Sequence, residues 1–286
     1  MIGACIIDGT DIATLGMFIV RGGDSDFLAF PERKEPLAND WFEEDGLDVD
    51  LSDVFFEAKK VSVKYYISAN DATTFQNHLN AFETLHYQAG YRQIYVREFD
   101  KTFALRFKEI SDYKHSGGYV KTGKKFGFIT VDYMMDDPLQ VYDSTLVPVS
   151  TRPTLSGIKL NSYDFSKFGI VIQDAYSTAL RIRSPKLGLV LAFERRTGLL
   201  SDLAYVPTKS ARQISIACTM LAETLNEFYT NYNALFNQLS ITQALELELP
   251  STEVINCYYK RMDEFKKELA FSNRIKFKFN LILQEV

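Results

Sequence analysis

The sequence is poor in the residues from which most catalytic and metal sites are built. Among 286 residues there are three histidines, three cysteines and one tryptophan. Cys5, Cys218 and Cys257 lie far apart, in no C-x-x-C or zinc-type spacing, so buried thiols in a reducing compartment are expected rather than a disulfide framework. His78 and His86 fall on one side of a predicted helix, but a zinc pair on a helix needs i, i+4 spacing and a third ligand. With neither offered, all three histidines, His115 included, are expected at the surface or its boundary. No run of about 18 apolar residues occurs, so no membrane span is expected. The start MIGACIIDGTD lacks a basic, apolar leader, so no signal peptide is expected and the chain reads as soluble.

Catalytic motifs are missing too. No G-x-S-x-G elbow is found, and Ser116-Gly117-Gly118 with its nearby lysines is not the strand-to-helix setting of a phosphate loop. Glu43-Glu44-Asp45 and Asp136-Asp137 are sequence neighbours in loops, whereas acid–base pairs need two carboxyls held in different environments. The acidic run at 48–53 does not fit a calcium loop, because Gly46 is out of register. A pI near 5.4 speaks against sequence-specific nucleic-acid readout. The expectation is a protein that is not an enzyme and that carries no cofactor and no metal.

Aromatic residues, by contrast, are abundant. The 22 Phe and 16 Tyr suit pleated, half-buried surfaces. Charge is divided unevenly: residues 1–145 hold 15 Lys+Arg against 24 Asp+Glu, a balance of −9, and residues 146–286 hold 17 against 13, a balance of +4. Opposite-signed halves suit copies that pack acidic part against basic part; the plainer alternative is that each face is merely solvated.

Much of the chain is written twice. Residues 71–90, DATTFQNHLNAFETLHYQAG, put Phe75, Leu79, Phe82 and Leu85 or His86 on one helical stripe, with Gly90 as the stop. Residues 221–239, LAETLNEFYTNYNALFNQL, repeat the object with Leu225, Tyr229, Tyr232 and Leu235/Phe236. Upstream, Asp11, Leu15 and Gly16 match Asp164, Phe168 and Gly169, and a glycine at the same place twice suggests positive φ at a turn. The alternating strand KKVSVKYYI at 59–67 is echoed by RQISIAC at 212–218. Each helix is followed by a hairpin, the first running 93–99 and 102–108 about a two-residue Asp100-Lys101 turn. The expected fold is α+β, mainly β: two tandem similar domains, each an antiparallel β-sandwich or open barrel with one helix packed on it. The expected division is 1–138, a proline-containing linker at 139–154, and 155–286 as the internal repeat.

The most distinctive loop is 22–53, with eleven acidic residues between Asp24 and Asp53 and only Arg33 and Lys34 to offset them. It reads either as an arm that anchors Trp41 and Phe42 in a neighbouring subunit or as a solvated loop folded on its own domain. The second copy answers with Arg181, Arg183, Lys186, Arg195 and Arg196. Trp41, Phe42, Arg195 and Arg196 are therefore the candidate subunit-interface residues.

The entry Leu15-Gly16-Met17, the acidic loop, the KKVSVKYYI strand, the F-x-x-x-L-x-x-F helix of Phe75, Leu79 and Phe82, the hairpin and the closing Asp137-Pro138 together resemble the tail-tube-like N-terminal domain of phage distal tail proteins. The resemblance covers residues 1–138 and, more weakly, the second copy. It implies a structural virion protein, assembled in the host cytoplasm, whose ring joins the tail tube to the tip or baseplate and lets DNA pass without specific binding. It also implies a homo-oligomer, with a hexamer favoured. The second half departs from the family, which usually adds a galectin-like or carbohydrate-binding domain there. That departure leaves a trimeric baseplate hub with two tube-type domains as an alternative, and a β-sandwich with many tyrosines leaves a carbohydrate- or receptor-binding module as another.

Overall fold

The computed structural model of the chain describes residues 5–116, 122–143, 147–150, 155–188, 190–192, 194, 197–201, 204–250, 254–271 and 274–286. The first sheet is built from β1 (Cys5–Ile7), β2 (Thr10–Asp11), β3 (Met17–Ile19), β4 (Lys59–Asp71), β5 (Arg92–Val96), β6 (Lys101–Ser116) and β7 (Thr122–Met135). Helix α1 (Ala72–His86) stands between β4 and β5. The second sheet is built from β8 (Lys159–Leu160), β9 (Tyr163–Asp164), β10 (Ile170–Asp174), β11 (Gln213–Ala222), β12 (Leu245–Glu248), β13 (Ile255–Phe271) and β14 (Arg274–Glu285), with α2 (Leu225–Leu239) after β11. Strand order is β2-β1-β5-β6-β7-β4-β3 in the first and β9-β8-β12-β13-β14-β11-β10 in the second, all pairings antiparallel. The two orders are the same order. The fold is α+β, mainly β, made of two similar domains.

The duplication extends to single residues. Asp11 and Asp164 each cap a 3-10 turn by accepting from a backbone N–H, and each turn ends at a left-handed glycine, Gly16 at φ 62° and Gly169 at φ 72°. A Cβ at Gly16 would stand 2.3 Å from the Ser68 carbonyl oxygen, and one at Gly169 would stand 2.5 Å from that of Leu221, so both positive φ and close approach exclude a side chain. These turns join the two edge strands of each sheet and so draw the sheet round on itself. Alternation decides which face is inside: Val61, Val63, Tyr65 and Ile67 of β4, like Ile214, Ile216, Cys218 and Met220 of β11, are buried.

Both helices are fifteen residues long. Asp71 caps α1 by accepting from the Thr74 N–H at 2.9 Å; Thr224 caps α2 through Glu227 N–H at 3.1 Å, and the Glu227 carboxylate accepts from the Glu223 N–H. Two sequence expectations about their limits need correction. Helix α1 stops at His86, not at Gly90, because Arg92 collects the Leu85, Ala89 and Gly90 carbonyls and ends the helical ladder early. Helix α2 starts at Leu225, since Leu221 and Ala222 still pair with Lys276 and Ile275 in the sheet. The first hairpin differs as well: Val96 pairs with Lys101, and the turn holds four residues so that Phe99 can enter the core.

Candidate interaction surface of the acidic arm

Between β3 and β4 the chain leaves the first sheet at residues 22–58 and lies across the second domain of the same chain. Its root is fixed from within the first domain. The Lys59 ammonium donates to the Phe27 and Ala29 carbonyls at 2.9 and 2.5 Å, and the Asp26 carboxylate accepts from the Ser62 N–H at 3.1 Å. Burial lowers the Lys59 pKa to about 7. Phe27 packs on Phe103 and Phe99.

Beyond Phe27 the arm enters the second domain. The Phe30 ring stacks on Tyr232 at 4.3 Å between centroids and touches Phe236 and Tyr142 at 5.1 and 5.8 Å. Tyr142, within the stretch expected as a linker, stacks in turn on Phe236 at 4.0 Å. Two buried phenols read the arm's backbone: Tyr232 donates to the Leu28 carbonyl and Tyr259 to the Pro31 carbonyl. Burial drives both phenol pKa values well up, so they remain donors. The Arg33 N–H then donates to the Lys260 carbonyl at 2.8 Å, at the flank of β13. A row of apolar and phenolic contacts, flanked by the buried Arg33 guanidinium over the Tyr258 ring, forms the centre of this surface, as in the buried middle of a protein interface.

Charge is placed around that centre. The Lys267 ammonium, itself buried, bridges Asp24 at 2.7 Å and Glu98, and it lies 4.9 Å from the Phe99 ring centre. Lys260 meets Glu35. At the tip, Lys186 pairs with Asp40 at 2.6 Å and donates to the Trp41 and Gly46 carbonyls, both at 2.7 Å. Tyr205 and Thr208 both donate to the Phe42 carbonyl, and the Lys209 N–H donates to Asp45. Asp24 and Asp26 are thus engaged with Lys267 and with the β4 backbone. The acidic surplus of the arm and the basic surplus of the second half meet inside one chain.

Of the interface residues named from sequence, Trp41 and Phe42 sit at this tip. Their backbone carbonyls are held, while both rings stay about half-exposed. Arg195 and Arg196 lie outside the described residues. The side chains that anchor the arm, Leu28, Phe30, Tyr232, Tyr259, Lys186 and Lys267, did not stand out by sequence reasoning as a group. The clue was a heavy apolar triplet, Phe27-Leu28 and Phe30, at the head of an otherwise acidic loop.

The histidine expectation also needs revision. His86 is buried, with Nδ1 at 2.7 Å from the Phe82 carbonyl and Nε2 at 2.6 Å from the Tyr133 hydroxyl. A carbonyl can only accept, so Nδ1 carries the proton and Tyr133 donates to Nε2. Burial holds the His86 pKa below its ordinary value, so the ring is neutral. It is a satisfied core group, placed by α1 against β7. Among the described residues no cluster of His, Cys, Asp and Glu has metal-site geometry, and no helix is long and apolar enough to cross a membrane.

No protein-family model matches the chain, and no curated protein sequence matches it. Among solved structures the chain is similar, at 11% identity and a TM-score of 0.35, to the crystal structure of the Dit protein of phage SPP1, described as a paradigm of the hub adsorption apparatus in phages that infect Gram-positive hosts. That similarity covers 99% of this chain and 98% of the other.

Proposed function

We propose that the chain is a structural component of a phage tail: a ring subunit of the distal tail that joins the tail tube to the tip or baseplate and surrounds the channel for DNA. The observation that carries this reading is the built contact between two copies of one domain, where the arm of the first is seated in the second through Phe30, Tyr232 and Tyr259. A unit that recognises its own duplicate through such an arm is suited to repeated side-by-side assembly. Trp41 and Phe42, half-exposed at the arm tip, are proposed contacts to the neighbouring subunit, and Arg195 and Arg196 of the second half are proposed to join them. The site of action is the virion tail, reached by assembly in the host cytoplasm.

A hexamer is the favoured copy number. A trimeric baseplate hub is the second reading, favoured by the fixed joint between two like domains, which would give six positions from three chains.

Light scattering coupled to size exclusion, with negative-stain images of the peak, tests the proposal. A ring with a central hole is expected, and its mass as a multiple of 32.7 kDa selects between six chains and three. A monomer at every concentration, combined with a saturable signal on a glycan array, would replace the ring with a carbohydrate-binding module.

A further inference from the structure

The second domain carries an arm of its own. Both arms are closed at the base by one isolated bridge, Arg33 to Phe56 in the first and Pro185 to Lys209 in the second. Each then extends into a two-stranded ribbon, Ala38–Asn39 with Asp48–Val49 and Val190–Ala192 with Leu199–Ser201. Aligning the arms on their bridges places Ala179 at Phe27, Leu180 at Leu28 and Ile182 at Phe30. The first pair is fully buried in both domains. The other two pairs differ sharply: Leu28 is 2% exposed against 48% for Leu180, and Phe30 is 4% exposed against 92% for Ile182.

The surface that receives the first arm also has a counterpart. Tyr259 and Met262 lie opposite Leu283 and Leu281; in the first sheet Phe107 and Ile110 lie opposite Tyr133 and Val131. Both strands are bulged at the same step, between Tyr259 and Arg261 and between Phe107 and Glu109. Met262, whose sulfur accepts from the Phe30 N–H, is buried, whereas Ile110 and Tyr113 are 42% and 48% exposed. A cavity of about 550 Å³ opens beside Phe107, walled by His86, Tyr87, Tyr91 and Arg106. At the corresponding place beside Tyr259, the first arm's Phe30 and Pro31 are in residence.

One chain therefore exposes an apolar projection at one domain and the matching apolar face at the other. We propose that Leu180 and Ile182 of one copy dock on Phe107, Ile110 and Tyr113 of a second copy, repeating between chains the contact that the first arm makes within the chain. The contact joins two different surfaces, so it is heterologous and propagates until rotation closes it. This deepens the ring reading and rests on it for closure, while the contact itself rests on the internal repeat.

The test uses Ile182→Cys and Ile110→Cys, made singly in the full chain, with a short bis-maleimide as cross-linker. Cys5, Cys218 and Cys257 are buried, so the introduced thiols are the reactive ones. Mixing the two variants is expected to give linked dimers, and neither variant alone should give them. A chain carrying both cysteines should give a covalent ladder that ends at the copy number of the closed ring. Separately, Ile182→Asp should reduce the assembled mass to 32.7 kDa with an unchanged circular dichroism spectrum. Assembled particles without mixed cross-links, or particles that survive Ile182→Asp, would overturn this contact and leave the ring reading standing. A chain that stays monomeric at high concentration and gives no mixed cross-link would overturn both.

Discussion

The two helices share a length, a type of cap and a place in the topology, yet their outer faces differ. On α1 the outward positions are Gln76, Asn80 and Glu83, all exposed; the equivalent positions on α2 are Tyr229, Asn233 and Phe236, all wholly or partly buried. The inward stripes agree, Phe75 and Phe82 matching Phe228 and Leu235. A helix stripe that packs on its own sheet is set by the fold, whereas the opposite stripe is set by what covers it. The arm, Tyr142, and Phe99 and Lys101 of the first hairpin cover α2, and no segment among the described residues covers α1 in that way.

Four perturbations test the difference between the covered and the uncovered faces. Largest is Phe30→Ala, expected to destabilise the chain by about 3–5 kcal/mol because it empties a buried aromatic cluster. Its counterpart Ile182→Ala should stay within about 0.5 kcal/mol in dilute solution, where its side chain is in water. Equal effects in denaturant unfolding would show that the two arms are not differently placed.

Next is Lys267→Met, which leaves the Asp24 and Glu98 carboxylates facing each other with no cation between them. Removing one partner from a buried charge cluster should lower stability by about 3 kcal/mol, measured in the same way.

The third is a pH effect confined to the first domain. His86 is neutral in the fold, with its pKa held down chiefly by burial, while its α2 counterpart is Leu239. The unfolded chain therefore takes up the proton first as pH falls through about 6.5, and stability is lost at up to about 1.4 kcal/mol per pH unit. Stability should be regained as pH rises above that value. His86→Leu should flatten this slope, and probes in the second domain should not show it. Smallest is Trp41→Ala, expected to change stability by less than about 0.5 kcal/mol, because its ring is half-exposed and its indole N–H makes only a long, exposed bond of 3.4 Å to Asp48.

The internal repeat was legible in sequence because its signals are local. A capped turn ending in Gly16 or Gly169, an alternating strand and a helical stripe each declare themselves within a dozen residues or so. The path of the arm was not legible, because 22–58 has no period and its partners come from distant β13 and α2. Acidic composition drew attention to Trp41 and Phe42, yet the deeper anchors are Leu28 and Phe30, ordinary apolar residues at the arm's root. His86 was misplaced at the surface for a related reason: sequence shows a polar ring on a helix, but not the Tyr133 hydroxyl that satisfies it. The role of Arg92 in ending α1 likewise depends on carbonyls gathered by the fold, with Asp8 as its counter-ion at 2.8 Å.

The measurement that bears most directly on the account is hydrogen exchange followed peptide by peptide at low and high protein concentration. Peptides across 24–37 should exchange slowly at both, since Arg33 donates to Lys260 and Phe30 is enclosed within the chain. The amides of Ile182, Arg183 and Ser184 should exchange fast in dilute solution and slow on assembly. Equal, fast exchange of both arms in the dilute chain would contradict the claim that the first arm binds the two domains together.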